Sequence, residues 1–385
     1  MTRRLFDEDA YLFTFSAVVE RCRETPDGFA VLLDGTAFFP QGGGQCADGG
    51  TLSGLPVRDV RQEGDEIWHF VPQALPVGQT VQGAVGREER LARMRKHSAE
   101  HIVCGLIHRA YGFSNVGFHL GSEDVTLDID GELDRPAVDG IERQANAAVR
   151  ADLPVTARYP APAELRGMTY RGKGPADGAV RIVTIGDVDA CACCAPHVAR
   201  TGEIGAIKLL EAIRYKGGMR IHLQAGADAT EEARLCFAQN AQIAAALSVR
   251  RGEAHDAVQR LLSERDALVR QLRAARREGA LLHAAAAEIP VSGAACLILS
   301  PADDEAVRDA ALALAARGAR PCAVFSGSDG QGYAYVAAGG DELPVFARSL
   351  NAALNGRGGG KGPLMRGRVD AAADQIRAFC AGFGA

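Results

Sequence analysis

A chain of 385 residues, 47% hydrophobic and 24% charged, can bury a sizeable core and is expected to divide into two to four domains. No window of roughly 18 residues is apolar throughout, and the start MTRRLFDEDAYLF lacks the apolar stretch of a secretory leader, so the sequence points to a cytoplasmic protein without a membrane span. The net charge of -5 does not favour a polyanion partner by itself, so such a partner requires local clusters of basic residues.

In chain order, residues 1–90 carry short apolar runs separated by glycine-rich turns (AVVERC, GFAVLLDGTAFFP, TLSGLPVRDVRQ, EIWHFVP, QTVQGAVG), the pattern of a small antiparallel β-barrel. From Arg87 the period changes. REERLARMRKHSAEHIVCGLIHRAYG sets Leu91, Met94, Ile102 and Leu106 near one face of a helix that ends at Gly112. Strands at VTLDID, RIVTIGDV and MRIHLQAG, with a helix across residues 131–152, give residues 91–227 the character of an α+β domain.

Residues 228–288 are rich in Ala, Arg and Glu, and Leu247, Ala254, Leu261, Leu268, Ala275 and Leu282 recur every seven positions. A long helix or a helical pair is expected. A continuous helix would run roughly 90 Å at about 1.5 Å per residue, and Gly252 and Gly279 each weaken it by about 1 kcal/mol relative to Ala. A homodimeric coil and an intrachain hairpin both fit the spacing. Residues 289–385 alternate strands (ACLILS, RPCAVFSG, GYAYVAAG) with helices, as in a small α/β domain. The fold class is therefore α+β and multidomain: N-terminal barrel, α+β core, helical segment and C-terminal α/β domain.

Ten cysteines are scattered except for Cys191, Cys193 and Cys194, which suggests reduced thiols or a metal site rather than a disulfide framework. His97 and His101 are four apart on the predicted helix, so both imidazoles project from one face. Cys193 and His197 repeat that spacing in DVDACACCAPHVARTGEIG. One thiolate with three imidazoles suits zinc, and the two pairs together predict one zinc ion per chain. His69, His108, His119, His222, His255 and His283 lack such a partner and are expected to be core or surface residues.

These segments resemble the editing domain of alanyl-tRNA synthetases and their free-standing AlaX relatives. RMRKHSAEHIVCGL resembles the family's HxxxH helix, CCAPHVARTGEIG its CxxxHxxxTGEIG segment, and GTAFFPQGGGQCADGGTL its TxFxPxGGGQxxDxG element. The resemblance covers residues 1 to about 225. Ala195 and Pro196 replace the more usual Gly-Thr before the last histidine, and Ser98 stands where Thr is common.

The resemblance implies a zinc-dependent hydrolase that removes serine, or glycine, from mischarged tRNA(Ala). Zinc can polarise the ester and lower the pKa of water toward about 7, but four protein ligands would close a tetrahedron, so ligand displacement, expanded coordination and a purely orienting role all remain open. Glu100, one turn from His97, is a candidate general base. Its spacing differs from the metalloprotease motif, and a solvated carboxylate beside Lys96 is the simpler reading. Gly42, Gly43, Gly44 and Gln45 allow close backbone approach to a substrate. Thr36 and Gln45 offer neutral groups for a hydroxyl, and the matching family positions are associated with selecting serine against alanine.

Arg87, Arg90, Arg93, Arg95 and Lys96 precede His97 closely enough to suit acceptor-end phosphates, although a solvated helix face fits the same run. NGRGGGKG, with Arg357 and Lys361, is not a P-loop and is similar to the glycine-rich motif of the DHHA1 domain, which implies further tRNA contacts. A rival reading is a non-catalytic tRNA-binding module with a structural zinc; a phosphoesterase is disfavoured by the absence of a carboxylate-rich metal motif.

Overall fold

The computed structural model describes residues 1–121, 125–172, 179–360 and 362–384, in two compact units, residues 1–239 and 240–385. The first unit opens on a seven-stranded antiparallel sheet ordered Leu55–Val57, Gly50–Leu52, Thr80–Val85, Thr14–Thr25, Gly28–Leu33, Glu66–Val71 and Asp59–Glu63. The strand Thr14–Thr25 turns the sheet on itself: Thr14 to Val18 pair with Thr80–Val85, and from Val19 onward the strand pairs with Gly28–Leu33, with a register shift between Val19 and Arg21. The edge strand Leu55–Val57 reaches Glu66–Val71, which nearly closes the sheet. Alternation selects the inward side chains, Phe15, Ala17 and Val19 among them, and these meet Phe38, Leu52, Ile67 and Val81 in one core.

The helix Arg87–Tyr111 follows directly and ends at Gly112, whose left-handed φ of 73° stops it as the sequence predicts. Its stretch from Lys96 to Ile107 is buried throughout. It packs among the helix Arg135–Arg150 and two antiparallel sheets, one ordered Asn115–Leu120, Val125–Ile129, Gly218–Ala225 and Ile207–Tyr215, the other Val155–Arg158, Ile182–Ile185 and Asp189–Ala192. Gly105 is required there. A Cβ at that position would lie 2.7 Å from both the Asp189 Cβ and the Val188 carbonyl oxygen, so only glycine lets the strand Asp189–Ala192 approach this closely.

The heptad segment is a helical pair, Ala227–Ala246 and Ala254–Ala286, and not one rod. The break falls at Ser248, with φ of 55°, and a single 3-10 turn that contains Gly252, whereas Gly279 sits inside the second helix. Leu261, Leu268 and Leu282 are exposed in the chain.

The second unit contains a five-stranded sheet ordered Ala295–Leu299, Cys322–Ser328, Gly332–Ala338, Leu364–Val369 and Arg357–Gly359, parallel only in its first pair, with helices Asp304–Ala316, Leu343–Ala353 and Ala373–Gly382. The fold is mixed α/β with several sheets. Among the described residues no helix is long and apolar enough to cross a membrane.

Candidate metal centre

The helix Arg87–Tyr111 supplies His97 and His101, and the segment that follows the strand Asp189–Ala192 supplies Cys193 and His197; one ligand atom from each converges within 4.8 Å of the others. Cys193 Sγ lies 3.6 Å from His97 Nε2 and 3.4 Å from His197 Nε2. Tetrahedral bonds to a zinc-sized ion require sulfur–nitrogen separations of roughly 3.6 Å, so the spacing suits a shared ion without rearrangement.

Each histidine is also held from its other nitrogen. His97 Nδ1 lies 2.8 Å from Gln45 Oε1, His101 Nδ1 lies 3.1 Å from Asp189 Oδ2, and His197 Nδ1 lies 2.9 Å from Ser98 Oγ. Gln45 and Asp189 present acceptor oxygens, which place the proton on Nδ1 and leave the Nε2 lone pair for a ligand. Three separate segments therefore aim three imidazoles at one point, and the donor set fits a metal ion. A second group, His101, Asp189 and Cys191, also lies within 4.8 Å, but Arg171 occupies both oxygens of Asp189, from Nε at 2.6 Å and Nη2 at 2.8 Å.

Electrostatics separate the thiols. Burial opposes ionisation of Cys193, yet the charges of His97 and His197 and hydrogen bonds from His101 and His197 hold it well below the usual thiol range. Burial pushes Cys191 up. Burial also drives His197 down to about 3, the neutral form that binds a metal. His101 is buried too, but hydrogen bonds to Asp189 and Cys193 raise it well above its ordinary value. Burial alone would raise Asp189, and its bonds to Arg171 and His101 instead keep it ionised.

His97, His101 and Cys193 lie on the wall of a cavity of about 1240 Å³ that Gly43, Glu100, Phe118 and Arg171 also line. The turn Gly42–Gln45 closes on itself by reciprocal backbone bonds, Gly42 N–H to Gln45 O at 3.1 Å and Gln45 N–H to Gly42 O at 3.0 Å. Gly44, at φ of 83°, accepts the Leu120 N–H and has no room for a Cβ, which would lie 2.6 Å from the Phe118 carbonyl oxygen. This contact presses the turn against the metal helix's neighbour. Gln45 is 1% exposed and its Nε2 has no partner among the described residues, which leaves a buried donor beside the cluster.

Thr36 is buried in the barrel. Its Oγ1 lies 2.8 Å from His69 Nε2 and accepts the Phe38 N–H at 3.1 Å. His69 Nδ1 meets the Val31 carbonyl oxygen at 3.1 Å, and burial lowers the imidazole to about 4, so it is neutral with its proton on Nδ1. The Thr36 hydroxyl must then donate to His69 Nε2 and has acceptor capacity only for anything else.

Glu100 is not a solvated carboxylate. It is 4% exposed, accepts from Asn115 Nδ2 at 2.6 Å, and lies 3.9 Å from His101 Nε2. Most of the basic run is likewise buried or paired within the chain. Arg90 is fully buried, bonded to Asp48 and to the carbonyl oxygens of Ala10 and Ala37, and cannot reach a phosphate. Lys96 is buried against Asp228 at 2.7 Å; Arg93 turns to Asp48 and Glu89, and Arg95 donates to the Glu203 carbonyl oxygen at 2.9 Å. Within the run only Arg87 is exposed, over the Phe13 ring at 4.9 Å. Arg90 lies seven residues before His97 and so shares its inward face. Arg357 is exposed on its strand, and Lys361 lies outside the described residues. Arg171 and Asn115 have no motif to mark them, whereas Asp48, as the Asp of the TxFxPxGGGQxxDxG element, Asp189, in DVDACACC, and Ser98, between the paired histidines, stand inside quoted segments without an assigned role.

Residues 180–222 match the family described as the threonyl and alanyl tRNA synthetase second additional domain. The chain is 34% identical over 371 residues to alanine–tRNA ligase of Halobacterium salinarum, which covers 90% of this chain and 39% of that protein. It is 32% identical over 394 residues to alanine–tRNA ligase of Pyrobaculum neutrophilum, covering 95% and 42%. To the alanyl-tRNA editing protein Aarsd1 of Danio rerio it is 32% identical over 218 residues, covering 52% and 53%. The chain thus spans about two fifths to one half of the length of these relatives. With the histidine pair, the CxxxH segment and the glycine-rich turn gathered at one centre, the chain is similar to alanine–tRNA ligases and to alanyl-tRNA editing proteins in sequence and carries the segments of the alanyl-tRNA synthetase editing domain.

Proposed function

We propose that the chain is a trans-editing hydrolase for mischarged tRNA(Ala), acting on the ester of seryl-tRNA(Ala) and of glycyl-tRNA(Ala), with one zinc ion held by His97, His101, Cys193 and His197. The observation that supports this reading is the convergence of the four ligand atoms, three of them from residues on a cavity wall, with each imidazole held from behind. Zinc bound there supplies Lewis acidity and a more acidic water. The chain's own residues do the rest. Glu100, on the cavity wall and steadied by Asn115, is placed to hold a proton beside the cluster. Gly43 lets a substrate approach the turn, and the unpaired Gln45 Nε2 offers a hydrogen bond.

Thr36 gives the selectivity a physical form. Thr36 is fully buried and does not line the cavity, so a substrate hydroxyl would reach it only if the packing around it yields. Its spare capacity there is as an acceptor, which would favour a substrate that brings a hydroxyl proton, as serine does and alanine does not. Residues 289–385, as a DHHA1-like domain with Arg357 and Lys361, together with Arg87, would hold the tRNA, and residues 228–288 would carry a dimer contact. Deacylation time courses on seryl-, glycyl- and alanyl-tRNA(Ala), with and without zinc, test the proposal: zinc-dependent release from the first two and not from the third is expected. A chain that binds zinc and tRNA but releases no amino acid would instead be the structural-zinc binding module.

A further inference from the structure

Asp189 differs from the other two groups that hold the histidines. Gln45 and Ser98 are neutral, whereas Asp189 is an anion, with its side chain 2% exposed and clamped on both oxygens by Arg171. Arg171 is stitched to the Asp189 strand by backbone bonds, its N–H to the Ala190 carbonyl oxygen at 2.8 Å and its own carbonyl oxygen to the Ala192 N–H at 2.9 Å. The guanidinium is therefore fixed in place, and it also lines the cavity. On the other side Gly105, one helical turn beyond His101, makes the room that brings Asp189 within reach of the imidazole.

Building on the metal reading above, we propose that Asp189 is the positioning residue that aims His101, and that Arg171 tunes it from the cavity side. The carboxylate holds the Nδ1 proton, turns Nε2 toward Cys193 and makes that nitrogen a stronger donor than a neutral partner would. Arg171 keeps the carboxylate's second oxygen from competing for the ion. Asp189 is not itself a ligand, because a cation bound to either oxygen would face the guanidinium at hydrogen-bond distance.

The test measures zinc affinity of the full chain by competition with a chromophoric chelator, and the visible absorption of the cobalt-substituted protein, whose bands report the ligand field. Asp189→Ala is expected to weaken zinc binding by about 10–100-fold and to shift the cobalt bands. Asp189→Asn keeps the shape and an acceptor oxygen, and should restore part of the affinity; it also serves should the alanine variant fail to fold. Arg171→Lys should fall between wild type and Asp189→Asn.

Unchanged affinity and spectrum in a folded Asp189→Asn or Asp189→Ala chain would overturn the proposal. So would a loss of stability in the metal-free variant with an unaltered cobalt spectrum, since that marks a merely structural ion pair. Two zinc ions per wild-type chain falling to one in Asp189→Ala would overturn it by making Asp189 a ligand. A wild-type chain that retains no zinc would instead sink the metal reading on which the proposal rests.

Discussion

Gln45 Oε1 stands 2.8 Å from His97 Nδ1, so the side chain that closes the glycine-rich turn touches the metal helix directly. The turn and the cluster are then one unit, and Gln45→Met should strand the buried Nδ1–H at a cost of about 1–3 kcal/mol. The expected result is a roughly tenfold or greater loss of zinc affinity in chelator competition, along with slower deacylation. A Gln45 that served the substrate alone would leave zinc affinity untouched.

Asp48 is a buried hub: it pairs with Arg90, reaches Arg93 at 3.3 Å and accepts the Phe39 N–H at 2.7 Å. Asp48→Ala leaves the Arg90 guanidinium buried without its counter-charge, and a loss of about 3–5 kcal/mol is expected. Trp68, the single tryptophan, is buried in the barrel sheet and reports the transition by fluorescence in urea. The sequence marks Asp48 only as the Asp of the TxFxPxGGGQxxDxG element; its role is not legible there, because an aspartate in ADGG reads as a turn residue and its partner lies 42 positions away.

The legible features were the ones local periodicity carries. The change of period at Arg87, the stop at Gly112 and the paired four-residue spacings are all local, and each appears as read. The partners that hold the cluster are not local: Gln45 to His97, Ser98 to His197 and Asp189 to His101 bridge 52, 99 and 88 positions. In the basic run charge suggests phosphates or solvent, but the helix phase of His97 and His101 carries Arg90 inward, where Asp48 satisfies it, while Arg87 stays exposed.

His69 gives the barrel a pH dependence. Burial lowers its imidazole to about 4, below the ordinary unfolded value of about 6.5, so the unfolded chain binds the extra proton first. Its contribution is complete above about pH 6.5 and is lost as pH falls through about 4, with a limit on the order of 3 kcal/mol. Urea midpoints read from Trp68, on zinc-loaded protein between those pH values, should fall more steeply for wild type than for His69→Gln. Parallel slopes would place the acid sensitivity elsewhere.

Thr36→Val removes the hydroxyl that satisfies His69 Nε2 and the Phe38 N–H, so the barrel should lose about 1–3 kcal/mol. The same change removes the acceptor proposed for the seryl hydroxyl. The ratio of seryl- to alanyl-tRNA(Ala) deacylation is therefore expected to fall by roughly tenfold or more. A stability loss with an unchanged ratio would leave Thr36 as a barrel residue only.

The last prediction concerns the second unit. A cut after Gly226 would remove Asp228, whose carboxylate lies 2.7 Å from the buried Lys96 ammonium, and would disturb the metal helix itself. The boundary after Gln239 avoids this, because it falls where the first compact unit ends. If residues 240–385 hold tRNA, a chain ending at Gln239 should bind zinc as before and hydrolyse at a nearly preserved saturating rate, with a raised KM and a smaller dependence of KM on salt. The reason is a division of labour: phosphate contacts supply binding and register with a steep salt dependence, whereas the cluster and the glycine-rich turn act at the ester. Deacylation kinetics at two salt concentrations, with metal analysis of both chains, decide the matter. A lower saturating rate at unchanged KM would mean that the second unit positions the first, and would overturn its assignment to tRNA holding.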